Sequence, residues 1–227
     1  MMRWIYAGGA TLKGSSHTQN DDAIFHSENG PIDRNGFLAL ICDGVSSVPN
    51  GGWAARTARD SFKDLFSKAV DIESDFFIDG LIQINEHIRG MPRKKGACTL
   101  SLLWVKANIG HLISVGDSQV AVLRKKKLTF YTPNRNQGGG LSSFVGMKGD
   151  IKSHLYERIF EIQDEDLLLL MSDGVSEIVE SNDFFYIWKH CYEDPQLCAE
   201  RLVQLAQYSG STDDNSAIVL HYKSEGF

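Results

Sequence analysis

Two stretches of this chain are apolar at every position and then break at the same four residues. Residues 37–42 read FLALIC and run into Asp43-Gly44-Val45-Ser46; residues 167–171 read LLLLM and, after Ser172, run into Asp173-Gly174-Val175-Ser176. A short apolar run bounded by turn residues predicts a strand buried on both faces. A third run of this kind, AIVL at 217–220, lies within a strand predicted over 216–222. Ahead of and around the first run the pattern predicts strands over 3–7, 23–26 and 36–42. A helix follows over 52–69, where Ala54, Ala58, Phe62, Leu65, Phe66 and Ala69 recur at helical spacing and make one buried face. A second helix covers 75–88, through Phe77, Leu81, Ile84 and Ile88. Next comes a meander of short strands over 97–106, 109–115, 119–124 and 128–132. Residues 132–149 hold Pro133, Asn134, Asn136 and the consecutive glycines Gly138, Gly139 and Gly140, which predicts an irregular, mobile loop. A strand over 154–162, the run at 167–171 and helices over 181–191 and 195–208 complete the pattern. Asp194 caps the last helix and Pro195 suits its first turn.

Strands in consecutive hairpin-linked runs, with helices grouped in pairs, predict an α+β sandwich with antiparallel sheets rather than a doubly wound parallel sheet. At 227 residues the chain reads as one domain over 1–227. Composition narrows the functional classes. Hydrophobic residues make up 42% and charged residues 23%, ordinary globular values. No apolar stretch approaches the roughly 20 residues that span a bilayer, so a membrane protein is not indicated. The first residues lack an apolar core of signal-peptide length, which speaks against secretion. A net charge of −6 gives no footprint for nucleic acid, and the one basic run, Arg124 to Lys127, reads as a hairpin turn. Cys42, Cys98, Cys191 and Cys198 stand apart, without the paired spacing of a zinc site or a disulfide framework, and fit a reducing cytoplasm.

Candidate chemistry lies in the carboxylates at predicted strand ends: Asp21 and Asp22 in NDD, Asp43 in CDGVSS, Asp117 in VGDSQ, Asp173 in MSDGVS, and Asp213 and Asp214 in TDDN. Taken singly, each reads as a turn. Taken together, each adjoining an apolar strand, they predict a shared edge crowded with negative charge, tolerable only with cations. Oxygen ligands without His or Cys select hard ions, Mg²⁺ or Mn²⁺ rather than zinc.

The ordered set NDD, CDGVSS, ACTLSLLWV, VGDSQVAVL, LLLLMSDGVSE and TDDNSAIVL resembles the metal-dependent Ser/Thr protein phosphatases of the protein phosphatase 2C type, over nearly the whole chain. The resemblance implies an α-β-β-α sandwich, two central antiparallel sheets flanked by helix pairs. It implies hydrolysis of phosphoserine and phosphothreonine in proteins by a water activated between two Mn²⁺ or Mg²⁺ ions. By the same token Asp43 bridges the two metals, the carbonyl of Gly44 helps hold one, and Asp173 and Asp214 hold the first. Asp21 stands where the family has the glutamate on the second metal, Asp22 orders water, and Asp117 matches the aspartate of a third, weaker site. His17 stands where the family commonly has an arginine that grips substrate phosphate. A phosphoprotein substrate, an opposing Ser/Thr kinase, a monomeric state and a cytoplasmic location go with that role.

The chain also departs from the family. Histidine at 17 lacks the bidentate fork of arginine, aspartate at 21 is one methylene shorter than glutamate, and Val45 cannot act as a general acid. These substitutions keep open a second reading, a catalytically weak or inactive regulatory module that binds a phosphoprotein. A metal-dependent hydrolase of small phosphate esters is a third, permitted by the short segment before Asp173. A cysteine phosphatase needs arginine six residues after its cysteine; Val48, Trp104, Leu197 and Gln204 stand there instead. The GGATLKGSS segment imitates a phosphate loop with its lysine out of order, and a strand-to-turn reading is simpler.

Overall fold

In strand β4 (Phe37–Cys42) all six residues are buried, and its two sides face different neighbours. Leu38, Leu40 and Cys42 pack under helices, whereas Phe37, Ala39 and Ile41 pack into a layer between two sheets. Strand β10 (Leu167–Met171) divides in the same way: Leu168 and Leu170 face the inter-sheet layer, and Leu167, Leu169 and Met171 face the other pair of helices. Burial on both faces explains why neither run alternates.

The computed structural model describes residues 2–73, 75–91, 95–133, 141–191 and 193–225. One sheet has five strands: β2 (Ala23–His26), β4, β5 (Leu100–Lys106), β6 (Ile109–Val115) and β9 (Tyr156–Glu161), in that order. The other has six: β3 (Gly30–Pro31), β1 (Met2–Leu12), β11 (Asn215–Glu225), β10, β7 (Gln119–Arg124) and β8 (Lys127–Phe130), again in spatial order. Their pairings are antiparallel. Helices α1 (Gly51–Lys68) and α2 (Phe76–Gly90) cover the first sheet through Ala54, Ala58, Phe62, Phe77 and Leu81. Helices α4 (Ser181–His190) and α5 (Pro195–Tyr208) cover the second through Phe184, Ile187, Leu202 and Val203. The layers are therefore α-β-β-α, as the resemblance implies. Asp194 caps α5 as the sequence predicts, accepting the N–H groups of Gln196 and Leu197. No helix among the described residues is long and apolar enough to cross a membrane.

Several local expectations are corrected. Strand β1 does not end at residue 7 but continues through Gly8 and Gly9 to Leu12, so the phosphate-loop lookalike begins as strand. The glycine at 8 answers a distant contact, since a Cβ there would sit 2.2 Å from Cα of Gln196 in α5. Residues 97–99 precede β5 rather than forming part of it, although Cys98 bridges Gly44 and Val145. In the stretch predicted as a mobile loop, Gly138 to Gly140 lie outside the described residues, but 143–147 is docked. Val145 is fully buried and exchanges backbone hydrogen bonds with Cys98, while the side chain of Asn85 holds Gly146 N–H at 2.7 Å. A short helix α3 (Asp173–Ser176) and a 3-10 turn (Ile151–His154) were not foreseen. The basic run does form a hairpin turn, with Lys125 and Lys126 at positive φ and Arg124 paired to buried Asp166.

Candidate metal centre

The register places every candidate carboxylate at one end of the sandwich. Ala23 pairs with Cys42, Leu100 with Val115, Met171 with both Gln119 and Ala217, and Leu12 with Asn215. Strands β4, β6 and β10 thus end where β2, β7 and β11 begin. Asp43, Asp117 and Asp173 follow the first three, and Asp21, Asp22, Asp213 and Asp214 lead into β2 and β11. Asp43, Asp117, Asp173 and Asp213 line one open cleft of about 380 Å³, together with Val45, Ser46, Ser47 and Thr99. Larger grooves between α1 and α2 and between α4 and α5 gather no such cluster.

Asp43 is fixed by its backbone. Its N–H donates to Thr99 Oγ1 at 3.0 Å, its carbonyl accepts Thr99 N–H at 2.8 Å, and the Thr99 hydroxyl meets Ser118 Oγ at 2.7 Å. Asp22 is buried beside the cleft, with Oδ2 held by Ser216 Oγ at 2.6 Å. Its other oxygen, Oδ1, is buried with no hydrogen-bond partner, as is Oδ1 of Asp173.

The electrostatics follow from burial and crowding. Burial, then the charges of Asp22, Asp173, Asp213 and Asp117, push the Asp43 carboxyl well above the usual carboxylate range. Burial pushes Asp22 up to about 7, with Ser216 opposing and Asp214 and Asp173 adding to the rise. Asp173 rises to about 6 through burial and the charges of Asp213 and Asp117. Asp117 is raised by burial. Among the described residues no Lys or Arg pairs with any of these four. Orphaned buried oxygens, unneutralised charge and oxygen donors fit a hard divalent cation.

The remaining candidates have other surroundings. His17 Nδ1 lies 2.9 Å from Asp214 Oδ2 and its Nε2 3.5 Å from Asp213 Oδ1; the hydrogen bond to Asp214 raises its pKa. Both ring nitrogens therefore face carboxylates. His17, Asp213 and Asp214 offer ligand atoms within 4.8 Å of one another, a tighter group than the cleft. That compactness comes from the histidine already bonding the acids, so the cleft with its orphaned oxygens is the better cation site.

Asp21 lies against the start of α1, where a Cβ on Gly52 would come 2.0 Å from Asp21 Oδ1. The shorter acid is thus matched by a glycine that the sequence pattern did not single out. Gly52→Ala is expected to displace Asp21 and lower stability by about 1–3 kcal/mol, read from urea unfolding; an unchanged midpoint would show that the contact is slack. Thr99 and Ser216 were also missed as site residues. A hydroxyl beside or within a strand carries no local signal, and only the bonds to Asp43 N–H and Asp22 Oδ2 reveal them.

A family model described as protein phosphatase 2C matches residues 13–205. The catalytic domain of the serine/threonine protein phosphatase PstP, in complex with two manganese ions, is similar over 98% of this chain and 100% of its own, with 17% identity and a TM-score of 0.82. The serine/threonine phosphatase of S. agalactiae matches over 97% of this chain and 100% of its own at 16% identity, TM-score 0.81. The Ser-Thr phosphatase MsPP of Mycobacterium smegmatis, in complex with cacodylate, matches over 94% and 97% at 22% identity, TM-score 0.75. At these identities the likeness is one of fold. No curated protein matches.

Proposed function

This chain belongs to the protein phosphatase 2C family, and from that premise we propose that it is a Mn²⁺- or Mg²⁺-dependent hydrolase of phosphoserine and phosphothreonine in proteins. The observation that carries the reading is the pair of orphaned buried oxygens, Asp22 Oδ1 and Asp173 Oδ1, in a cluster of acids that no Lys or Arg of the described residues neutralises. On this reading Asp43 would serve both ions. Asp21 and the Gly44 carbonyl would hold one, Asp173 and Asp214 the other, and Asp117 would serve a third, weaker site. Two manganese ions in PstP, a protein of the same fold, support the count.

Bound there, divalent cations supply Lewis-acid chemistry: a more acidic water and neutralisation of charge on a phosphoryl group. The chain's own residues do the rest. Thr99 fixes the Asp43 backbone and so the carboxylate at the centre of the cluster. Ser216 holds Asp22 by Oδ2, leaving Oδ1 to orient a water and accept its proton. The cleft is open, which suits a phosphorylated side chain presented on a protein surface. Val45 lines it where a general acid would stand, so the leaving oxygen must draw its proton from water or from another group.

The reading carries with it one catalytic domain over 1–227, a monomer in the cytoplasm, and a Ser/Thr kinase whose product it reverses. One observation favours the rival regulatory module: His17, at the phosphate-gripping position, has both nitrogens engaged by aspartates. Release of inorganic phosphate from phosphoserine and phosphothreonine peptides in Mn²⁺ decides between them. Steady release that stops in EDTA is expected; retention of the phosphopeptide by folded, Mn²⁺-loaded protein without release would establish the module instead.

A further inference from the structure

The cleft that holds the acids also has an apolar side. Val45, Val48, Leu141 and Phe144 line it together with Asp43, Asp117, Asp173 and Asp213. Each of the four apolar residues is half-buried, and none packs against the core between the sheets or the cores under the helices. The contrast is sharpest at Phe144. Its neighbour Val145 is fully buried in the core under α1 and α2, and Met147 packs against that core. An aromatic ring left beside a polar site, in a segment whose other apolar residues go to the core, is surface for a ligand to cover.

This wall is held by the residues that hold the centre of the acid cluster. Cys98 bridges Gly44 on one side and Val145 on the other, both antiparallel. One residue back along each pair, Phe144 falls opposite Thr99, and Thr99 falls opposite Asp43, to which it is hydrogen-bonded. Asp43, Thr99 and Phe144 accordingly all line the cleft. The carbonyl of Ala97 accepts Val45 N–H at 3.0 Å, and Val48 N–H closes a turn onto the Val45 carbonyl at 3.1 Å. Beyond Phe144 the buried side chain of Asn85 accepts Gly146 N–H at 2.7 Å and donates to the Met147 carbonyl at 3.2 Å. Residues 97–99 are thus a common rail, with the Val45–Val48 turn on one edge and Phe144 on the other.

We propose that Phe144 and Leu141, with Val45 and Val48, form a specificity pocket for an apolar side chain next to the phosphorylated residue of the substrate. The inference rests on the phosphoprotein hydrolysis proposed above and narrows its substrate class. Phosphoserine and phosphothreonine flanked by leucine-sized apolar residues are preferred over the same residues in small or polar surroundings. The occupant is a substrate side chain because the wall is continuous with the acids: whatever covers Phe144 lies in the cleft that Asp43 lines.

The test uses the full chain in Mn²⁺ and two phosphoserine peptides that differ only in having leucine or alanine on both sides of the phosphoserine. Wild type is expected to show a kcat/KM about tenfold or more higher on the leucine peptide, the scale on which an apolar pocket discriminates. In Phe144→Ala that ratio is expected to fall to within about threefold of one, and Phe144→Leu should recover most of it. A merely structural role for Phe144 would lower both peptides together and leave their ratio intact. A wild-type ratio near one, or a ratio that survives in Phe144→Ala, overturns the pocket. Failure of folded, Mn²⁺-loaded wild type to release phosphate from either peptide overturns the phosphatase reading itself, and the pocket with it.

Discussion

Asp43→Asn is expected to lower Mn²⁺-dependent hydrolysis of a generic aryl phosphate by about 10³-fold or more, roughly 4 kcal/mol of lost transition-state stabilisation. The Asp43 carboxyl feels the charges of Asp22, Asp173, Asp213 and Asp117 together. On the proposed reading it is shared by two cations, so neutralising it costs more than removing a ligand from one. The same substitution should leave the fold intact, since asparagine is isosteric and the backbone bonds to Thr99 do not depend on the side chain. In EDTA it should even raise the melting temperature, because a buried, crowded carboxylate is destabilising when ionised. Lost activity together with gained metal-free stability is a signature that misfolding cannot imitate. A variant keeping more than a tenth of wild-type activity would remove Asp43 from the centre of the mechanism.

The metal-free protein is expected to lose stability as pH rises from about 5 to 8, contrary to the trend of a protein held by paired carboxylates. Asp22 and Asp173 titrate near 7 and 6 in the folded state, against an ordinary 3.8, and Asp43 and Asp117 are also raised. Between 3.8 and those values the folded chain holds protons that the unfolded chain has released, so each further rise in pH favours unfolding. His17, raised by Asp214, acts in the same direction, since its stabilisation is present below 6.5 and lost as pH passes its folded value. His221, lowered by burial, opposes them. Each tenfold change in proton affinity is worth about 1.4 kcal/mol, so the acids together set a fall of a few kcal/mol. Saturating Mn²⁺ binds the ionised form and should stabilise most at pH 8 and least at pH 5. Urea midpoints across this range, in EDTA and in Mn²⁺, measure both slopes. Stability that climbs to pH 8 in EDTA would mean that the cluster is not electrostatically strained.

The sandwich was legible because its central strands are buried on both faces. FLALIC and LLLLM could belong to nothing else once each proved too short for a helix, and the acids at their ends marked a common edge. What escaped the sequence is set by partners far along the chain. Gly8 suggested a turn, but it is strand, left bare so that α5 can approach across a separation of nearly 190 residues. Residues 143–147 looked loose because their anchors, Cys98 and Asn85, lie in other elements. Gly52 gave no signal until Asp21 was seen against it. The Asp213-Asp214 pair shows the limit most clearly. Two identical neighbours have the same chemistry on paper, and only the donors at Gly14, His17 and Asp21 decide which of them turns inward.

The central claim is that acids gathered at one end of this sandwich form a seat for divalent cations, and titration of the EDTA-stripped wild-type protein with Mn²⁺ at pH 7.5 tests it most directly. Followed by the resonance of the free ion, two equivalents should disappear into the protein before the free signal grows. A free signal that rises in proportion from the first addition, with the protein folded, would contradict it.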